Sequence, residues 1–172
     1  MKNYIFGMLL LSLVYCQQKE QTLIKFYSEG FNGSDTLAGY LNLEGDTIIP
    51  AGKYVHCFTD TINTFGMVME KGTGKIIGID QNATALFEVF KYDNGPDYVQ
   101  NGLFRIIKNG KIGYANLDGE IIIEARFDCA YPFEENVAKV SGDCTTITEG
   151  DYSMWESDNW YKITVDGKRM EE

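Results

Sequence analysis

The chain contains one histidine, His56, and that scarcity removes more chemistry than any motif supplies. A histidine-dependent triad needs an imidazole beside its nucleophile, and zinc sets draw on clustered cysteines and histidines. His56 adjoins Cys57, but neighbouring side chains on a strand point to opposite faces, so the two do not converge on one ion or substrate. No apolar run is long enough for a membrane-spanning helix. Phosphate loops and nucleophile elbows are missing too: Gly72-Thr73-Gly74-Lys75 is too short for the first and opens a hairpin. Basic residues are few, 15 against 25 acidic ones, giving a net charge of −10. That balance argues against nucleic acid and against anionic membrane surfaces, both of which need basic patches to displace counterions. No motif implies a catalytic residue, a cofactor or a metal.

Proline is rare as well, 3 residues against 18 glycines, and helix signals are scarce. Aromatic and β-branched residues fill the apolar segments, a composition suited to many short strands joined by tight turns. The clearest stretch runs from Gly102 to Ser141. It predicts strands over Leu103 to Lys108, Lys111 to Leu117, Glu120 to Phe127 and Asn136 to Val140, with turns at Asn109-Gly110 and Asp118-Gly119. Both pairs read as two-residue type I′ hairpins, because Asn and Asp tolerate positive φ and Gly accepts it freely. Ile121-Ile122-Ile123 is apolar at three successive positions, which predicts a strand packed on both faces.

This stretch resembles the WG repeat (KWG-type) family, whose units pair a Gly-Lys-Trp-Gly-Tyr-Ile-Asp strand with a short turn and a second apolar strand. The matching residues are Gly110-Lys111-Ile112-Gly113-Tyr114-Ala115-Asn116, Asp118-Gly119, Ile121 to Ile123, Phe127-Asp128, Ala130-Tyr131-Pro132-Phe133 and Val137 to Val140. Ile112 replaces the signature Trp, and Glu124 the strand-end proline. The resemblance implies an all-β fold and transfers no catalytic residue.

Weaker copies flank this unit. Gly39-Tyr40-Leu41-Asn42-Leu43-Glu44-Gly45 follows Gly113 onward position for position, and Pro50 supplies the missing strand-end proline. Gly74-Lys75-Ile76-Ile77-Gly78-Ile79-Asp80 keeps the Gly-Lys start but reads as lacking the tight turn in Gln81-Asn82-Ala83-Thr84. Gly39, Gly78 and Gly113 serve as anchors, 39 and 35 residues apart, a supersecondary spacing. A half-unit from Trp160 to Lys168 closes the chain as a cap. The expected fold is all-β, an array of antiparallel β-hairpin repeats with three degenerate units plus a partial C-terminal unit. A lone hairpin cannot cover its own apolar face, so the units are expected to stack into one continuous sheet system.

The first residues read as export machinery. Residues 1–15 form a signal peptide with Lys2 ahead of a short apolar core, and Leu13-Val14-Tyr15-Cys16 resembles a lipobox that makes Cys16 the lipidated residue. Residues 16–21 are then a tether and residues 22–172 the repeat domain. Removing residues 1–15 takes away Lys2 and no acid, moving the charge from −10 to −11. The expectation is an exported outer-membrane or cell-surface lipoprotein that meets the membrane through Cys16.

Residues 142–159 interrupt the repeats with five acids and no basic residue. They read either as a solvated hairpin or as a ligand lip in which Tyr152, Trp155 and Trp160 offer flat faces to a protein or glycan. With Cys16 given to lipid, Cys57, Cys129 and Cys144 remain. Cys129 and Cys144 suit a disulfide stapling the insertion, and three buried thiols suit the sequence equally. Paired acids such as Glu134-Glu135 or Glu124 and Asp128 keep open a hydrolase acting on extracellular or envelope polymers. Asp35-Thr36-Leu37, Asp46-Thr47-Ile48 and Asp60-Thr61-Ile62 resemble an O-glycosylation signal of some envelope bacteria, and an Asp turn before a β-branched strand start explains them equally. The favoured reading is a non-enzymatic binding or interaction scaffold.

Overall fold

The structure is a computed structural model and describes residues 21–29, 36–150 and 152–171. The expected signal peptide, Cys16 and all of the tether but Gln21 lie outside the described residues. Among those described there is no helix. The strands are β1 (Leu23–Glu29), β2 (Thr36–Leu41), β3 (Thr47–Ile49), β4 (His56–Cys57), β5 (Thr61–Ile62), β6 (Gly66–Met69), β7 (Ile76–Ile79) and β8 (Ala85–Val89). They continue with β9 (Lys91–Tyr92), β10 (Gly95–Pro96), β11 (Leu103–Lys108), β12 (Lys111–Asn116), β13 (Ile121–Phe127), β14 (Cys129–Ala130), β15 (Val137–Ser141), β16 (Thr145–Glu149), β17 (Tyr152–Glu156) and β18 (Tyr161–Thr164).

Every pairing is antiparallel, and the units do not share one sheet. A four-stranded sheet (β3-β2-β1-β5), a seven-stranded one (β13-β12-β11-β8-β7-β6-β4) and a three-stranded one (β14-β15-β18) divide them. The seven-stranded sheet is the spine. Met67, Ile76, Phe87, Phe104 and Ile106 form one core cluster, in which Phe65 packs 5.6 Å from Phe87 and 5.7 Å from Phe104 between ring centroids. Val68 and Ile79 join the core of the first sheet instead, while Leu103, Ile112 and Tyr114 join that of the last. Alternation along β6, β7, β11 and β12 thus buries both faces of those strands.

One turn recurs four times and defines the repeat. In Asn42–Asp46, Asp80–Thr84, Asn116–Glu120 and Thr164–Lys168, the first residue's N–H donates to the fifth residue's carbonyl and the fourth N–H donates back to the first carbonyl. In the first three, the leading side chain also accepts from the fifth N–H, at 2.8, 2.8 and 2.9 Å for Asn42, Asp80 and Asn116. The fourth residue carries positive φ each time: Gly45 (92°), Ala83 (60°), Gly119 (83°) and Gly167 (78°). The copy at residues 80–84 therefore keeps the turn that its sequence hides, because Ala83 accepts the left-handed conformation at modest cost. Of the two expected type I′ pairs, only Asn109-Gly110 has positive φ at both positions, as such a hairpin requires. Asp118-Gly119 is the end of a three-residue loop with a single left-handed residue, not a type I′ pair.

Three of these four hairpins carry a bulge on the second strand. Tyr114 pairs with Ile123 and Ala115 with Ile121, so Ile122 is left unpaired. The same skip leaves out Ile48 and Leu86 in the other units. A bulge resets the side-chain alternation, so Ile121 and Ile123 reach different cores although two residues apart, while Ile122 is 42% exposed. The three-isoleucine run is thus packed on both sides through a bulge, not through plain alternation.

Aligned on the turns, Gly78 stands where Tyr40 and Tyr114 stand, one place away from the anchor expected of it. A Cβ on Gly39 would lie 2.5 Å from the Ile49 carbonyl oxygen, and one on Gly113 2.5 Å from that of Ile123. Gly78 instead faces the rings of Phe65 and Phe87, which fill the space a tyrosine takes in the other units. Tyr40 and Tyr114 are buried, and their hydroxyls donate forward to the carbonyls of Thr59 (2.6 Å) and Tyr131 (2.7 Å). Burial holds both phenols above the ordinary tyrosine range.

Candidate functional site

The insertion enters between β15 and β18, where the clearest unit has only the two-residue turn Asn109-Gly110 between β11 and β12. Its two strands pair Thr145 with Glu156 through Glu149 with Tyr152. Its base is tied by buried Ser141, whose hydroxyl lies 2.8 Å from that of Ser157 and donates to the Asp143 carbonyl. Cys129 and Cys144 have their sulfurs bonded, with Cα atoms 6.2 Å apart, and Cys57 is a free, buried thiol. Burial pushes the Cys57 thiol up in pKa, which disfavours the reactive thiolate. His56 is exposed beside the Phe58 ring, on the other side of the strand from Cys57.

So anchored, the hairpin lays Trp155 against the main body. Its ring meets Phe90 (6.0 Å between centroids) and Tyr131 (5.4 Å), both edge-on. Trp160, on the far side, lies 5.5 Å from Tyr131, and the Lys139 ammonium sits 4.6 Å from the Trp160 centroid. The two tryptophans are half-buried and Tyr131 is 39% exposed, so a partly open aromatic row runs over β14 and β15. Tyr152 pairs through its backbone with Glu149 at the hairpin tip, while Trp155 pairs with Thr146. The Tyr152 side chain lies outside the described residues. Sequence reading missed Tyr131, the middle of the row, because it looks like an ordinary repeat residue; its position beside the proline of the unit was the available signal.

Tyr131 is held from three directions. Its N–H donates to the Lys139 carbonyl, its own carbonyl accepts from Tyr114, and the preceding carbonyl of Ala130 accepts from Arg105 Nη1 at 3.1 Å. Arg105 is itself fixed by a bidentate pair with Asp97, at 2.9 Å (Nε to Oδ2) and 2.6 Å (Nη2 to Oδ1), and lies 4.0 Å from the Phe90 centroid. The side chains of this pair are 4% and 1% exposed, and Asp97 also accepts the Arg105 backbone N–H. Neither residue carries a sequence signature, since they meet only when the β9–β10 ribbon folds onto β11.

Beside the row lies a groove of about 840 Å³ lined by Tyr131, Pro132, Val137, Lys139, Lys162 and Met170 together with Glu134 and Glu135. Glu134 and Glu135 belong to one exposed turn, where Glu135 and Asn136 take positive φ. Asp128 is paired with Lys111 at 2.6 Å, and Glu124 is exposed on β13. Among the described residues no three His, Cys, Asp or Glu side chains gather as metal ligands. Thr36, Thr47 and Thr61 are all exposed at strand starts in the first sheet, and Asp35 lies outside the described residues.

Residues 112–141 match the family model described as WG containing repeat, so the stretch from β12 to β15 is a WG repeat. No curated protein and no solved structure matches the chain.

Proposed function

We propose that this WG-repeat chain is a non-enzymatic binding scaffold displayed at the cell envelope, held there by a lipid on Cys16, and that its protein or glycan ligand seats across Tyr131 and Trp160. One observation carries the reading: Trp155, Tyr131 and Trp160 form a half-exposed row on a backbone already fixed by Arg105, Tyr114 and Lys139. Aromatic surface left open beside a groove, on a support that need not reorganise, is the usual makeup of a binding face. The short apolar segment ending at Leu13-Val14-Tyr15-Cys16 supports the anchor.

The hydrolase alternative finds less support. Glycoside hydrolysis needs two carboxyls flanking the bond from opposite sides. Glu134 and Glu135 are neighbours on one exposed turn, and Asp128 is engaged by Lys111.

Capture of envelope polysaccharides and extracellular proteins by the full chain tests the reading, with Tyr131→Ala and Trp160→Ala as site variants and Tyr27→Ala, exposed on the first sheet, as control. Loss of capture in the site variants alone is expected; equal capture by all four proteins refutes the face. Release of reducing ends that disappears in Glu134→Gln or Glu135→Gln would overturn the non-enzymatic assignment. Cys16→Ser is expected to move the protein from the detergent phase to the aqueous phase, and an unchanged partition would remove the anchor.

A further inference from the structure

Two lysines beside the row pair with no carboxylate among the described residues. Lys139 and Lys162 are directly opposite each other in the β15–β18 register, and both are exposed. Like charges in that position repel, so the pair weakens the sheet it sits on. Among the described residues neither meets a carboxylate, whereas Lys25, Lys75, Lys111 and Lys168 each do. A second groove of about 680 Å³ shares Lys162 and Met170 with the first and adds Trp160, Tyr161, Arg169 and Glu171. The Arg169 guanidinium lies 4.5 Å from the Tyr161 centroid. Lys139, Lys162 and Arg169 thus border one aromatic surface, with Glu134, Glu135 and Glu171 in the same two linings.

We propose that this double groove takes a carboxylated glycan whose acidic sugars are spaced by neutral ones. The proposal rests on the binding face described above and names its ligand class. Sugar rings present apolar C–H faces that pack on the exposed parts of Tyr131 and Trp160, while a uronate carboxylate bridges Lys139 and Lys162 and removes their repulsion. Glu134 and Glu135 in the groove lining accept sugar hydroxyls. Spaced carboxylates suit the site because the net charge of −10 repels a dense polyanion at longer range. A peptide strand fits poorly. β15 is flanked by β14 and β18, and the outer edge of β18 is taken by the Arg169 bridge to Ile163 and the Met170 N–H bond to the Lys162 carbonyl. Among the described residues, neither β15 nor β18 leaves a free edge there for a strand to join.

The test is titration of the full chain with a panel of oligosaccharides in which uronates alternate with neutral sugars, each beside its carboxyl-reduced form, a heparin oligosaccharide and a Glu-rich peptide. Binding of an acidic member is expected to weaken about tenfold on carboxyl reduction, as for loss of a charged hydrogen bond. Lys162→Gln should erase that difference, and Trp160→Ala should weaken both forms. Equal affinity for native and reduced forms, or tighter binding of heparin, overturns the carboxylate assignment while leaving the binding face standing. Capture of the peptide in place of every glycan overturns the glycan class. Glycan binding indifferent to both Trp160→Ala and Tyr131→Ala sinks the face itself.

Discussion

Removing one partner of the Asp97–Arg105 pair tests whether the candidate site is built on a buried charge. In Asp97→Ala the guanidinium keeps its place at 4% exposure with no counter-charge, and the Arg105 N–H loses its acceptor as well. Breaking a buried pair this way costs about 3–5 kcal/mol. Against a total stability of roughly 5–15 kcal/mol that is a large share, and it corresponds to a melting point lower by about 6–20 °C for a domain of this size. Arg105→Ala should cost a similar amount, because it strands the Asp97 carboxylate and the Ala130 carbonyl. The double variant is expected to cost about as much as either single one, since the second change removes the stranded charge, giving a coupling of about 3 kcal/mol. Urea unfolding of the four proteins measures this, and tryptophan emission reports whether Trp155 has lost its support on Phe90. Single variants that cost under about 1 kcal/mol, or a double variant equal to their sum, would refute the argument.

Three further outcomes follow from the same structure. Reduction of Cys129–Cys144, which closes a separation of 15 residues, should cost about 3 kcal/mol and be matched by Cys144→Ser; an unchanged urea midpoint with reductant would count against the bond. Gly113→Ala and Gly39→Ala place a methyl group 2.5 Å from a carbonyl oxygen and should each destabilise by more than about 2 kcal/mol, while Gly142→Ala, which meets open space, should be near neutral by thermal melting. Tyr40 and Tyr114 have folded pKa values raised above the ordinary 10, with burial as the main cause. Their stabilising contribution is complete below pH 10 and falls as the pH rises beyond it, because only the unfolded chain ionises these phenols. Tyr40→Phe/Tyr114→Phe should flatten that alkaline decline in urea midpoints measured from pH 8 to 12, and an unchanged slope would contradict it.

Local chemistry along the chain was sufficient for the strands and for most of the turns. Alternating apolar residues mark β11 to β13, and Asn109-Gly110 forms the type I′ hairpin that its two residues favour. Residues 81–84 escaped notice because the turn there depends on the Asp80 side chain and on φ at Ala83, neither of which is a Gly-type signal. The Gly78 assignment slipped by one place because Gly-Lys-Ile-Ile-Gly fits the pattern in two registers, and only hydrogen-bonded turns choose between them.

The sequence by itself determined the period, the antiparallel hairpins and the residues that must be buried, since these follow from contacts within a few positions of one another. Only the tertiary structure decided that the units divide among three principal sheets, that Asp97 meets Arg105, and that Trp155 and Trp160 flank Tyr131. Those outcomes join segments whose separation carries no sequence pattern. Bulges at Ile48, Leu86 and Ile122 redirect side chains from one core to another, and the partner each finds depends on where the other sheets have packed.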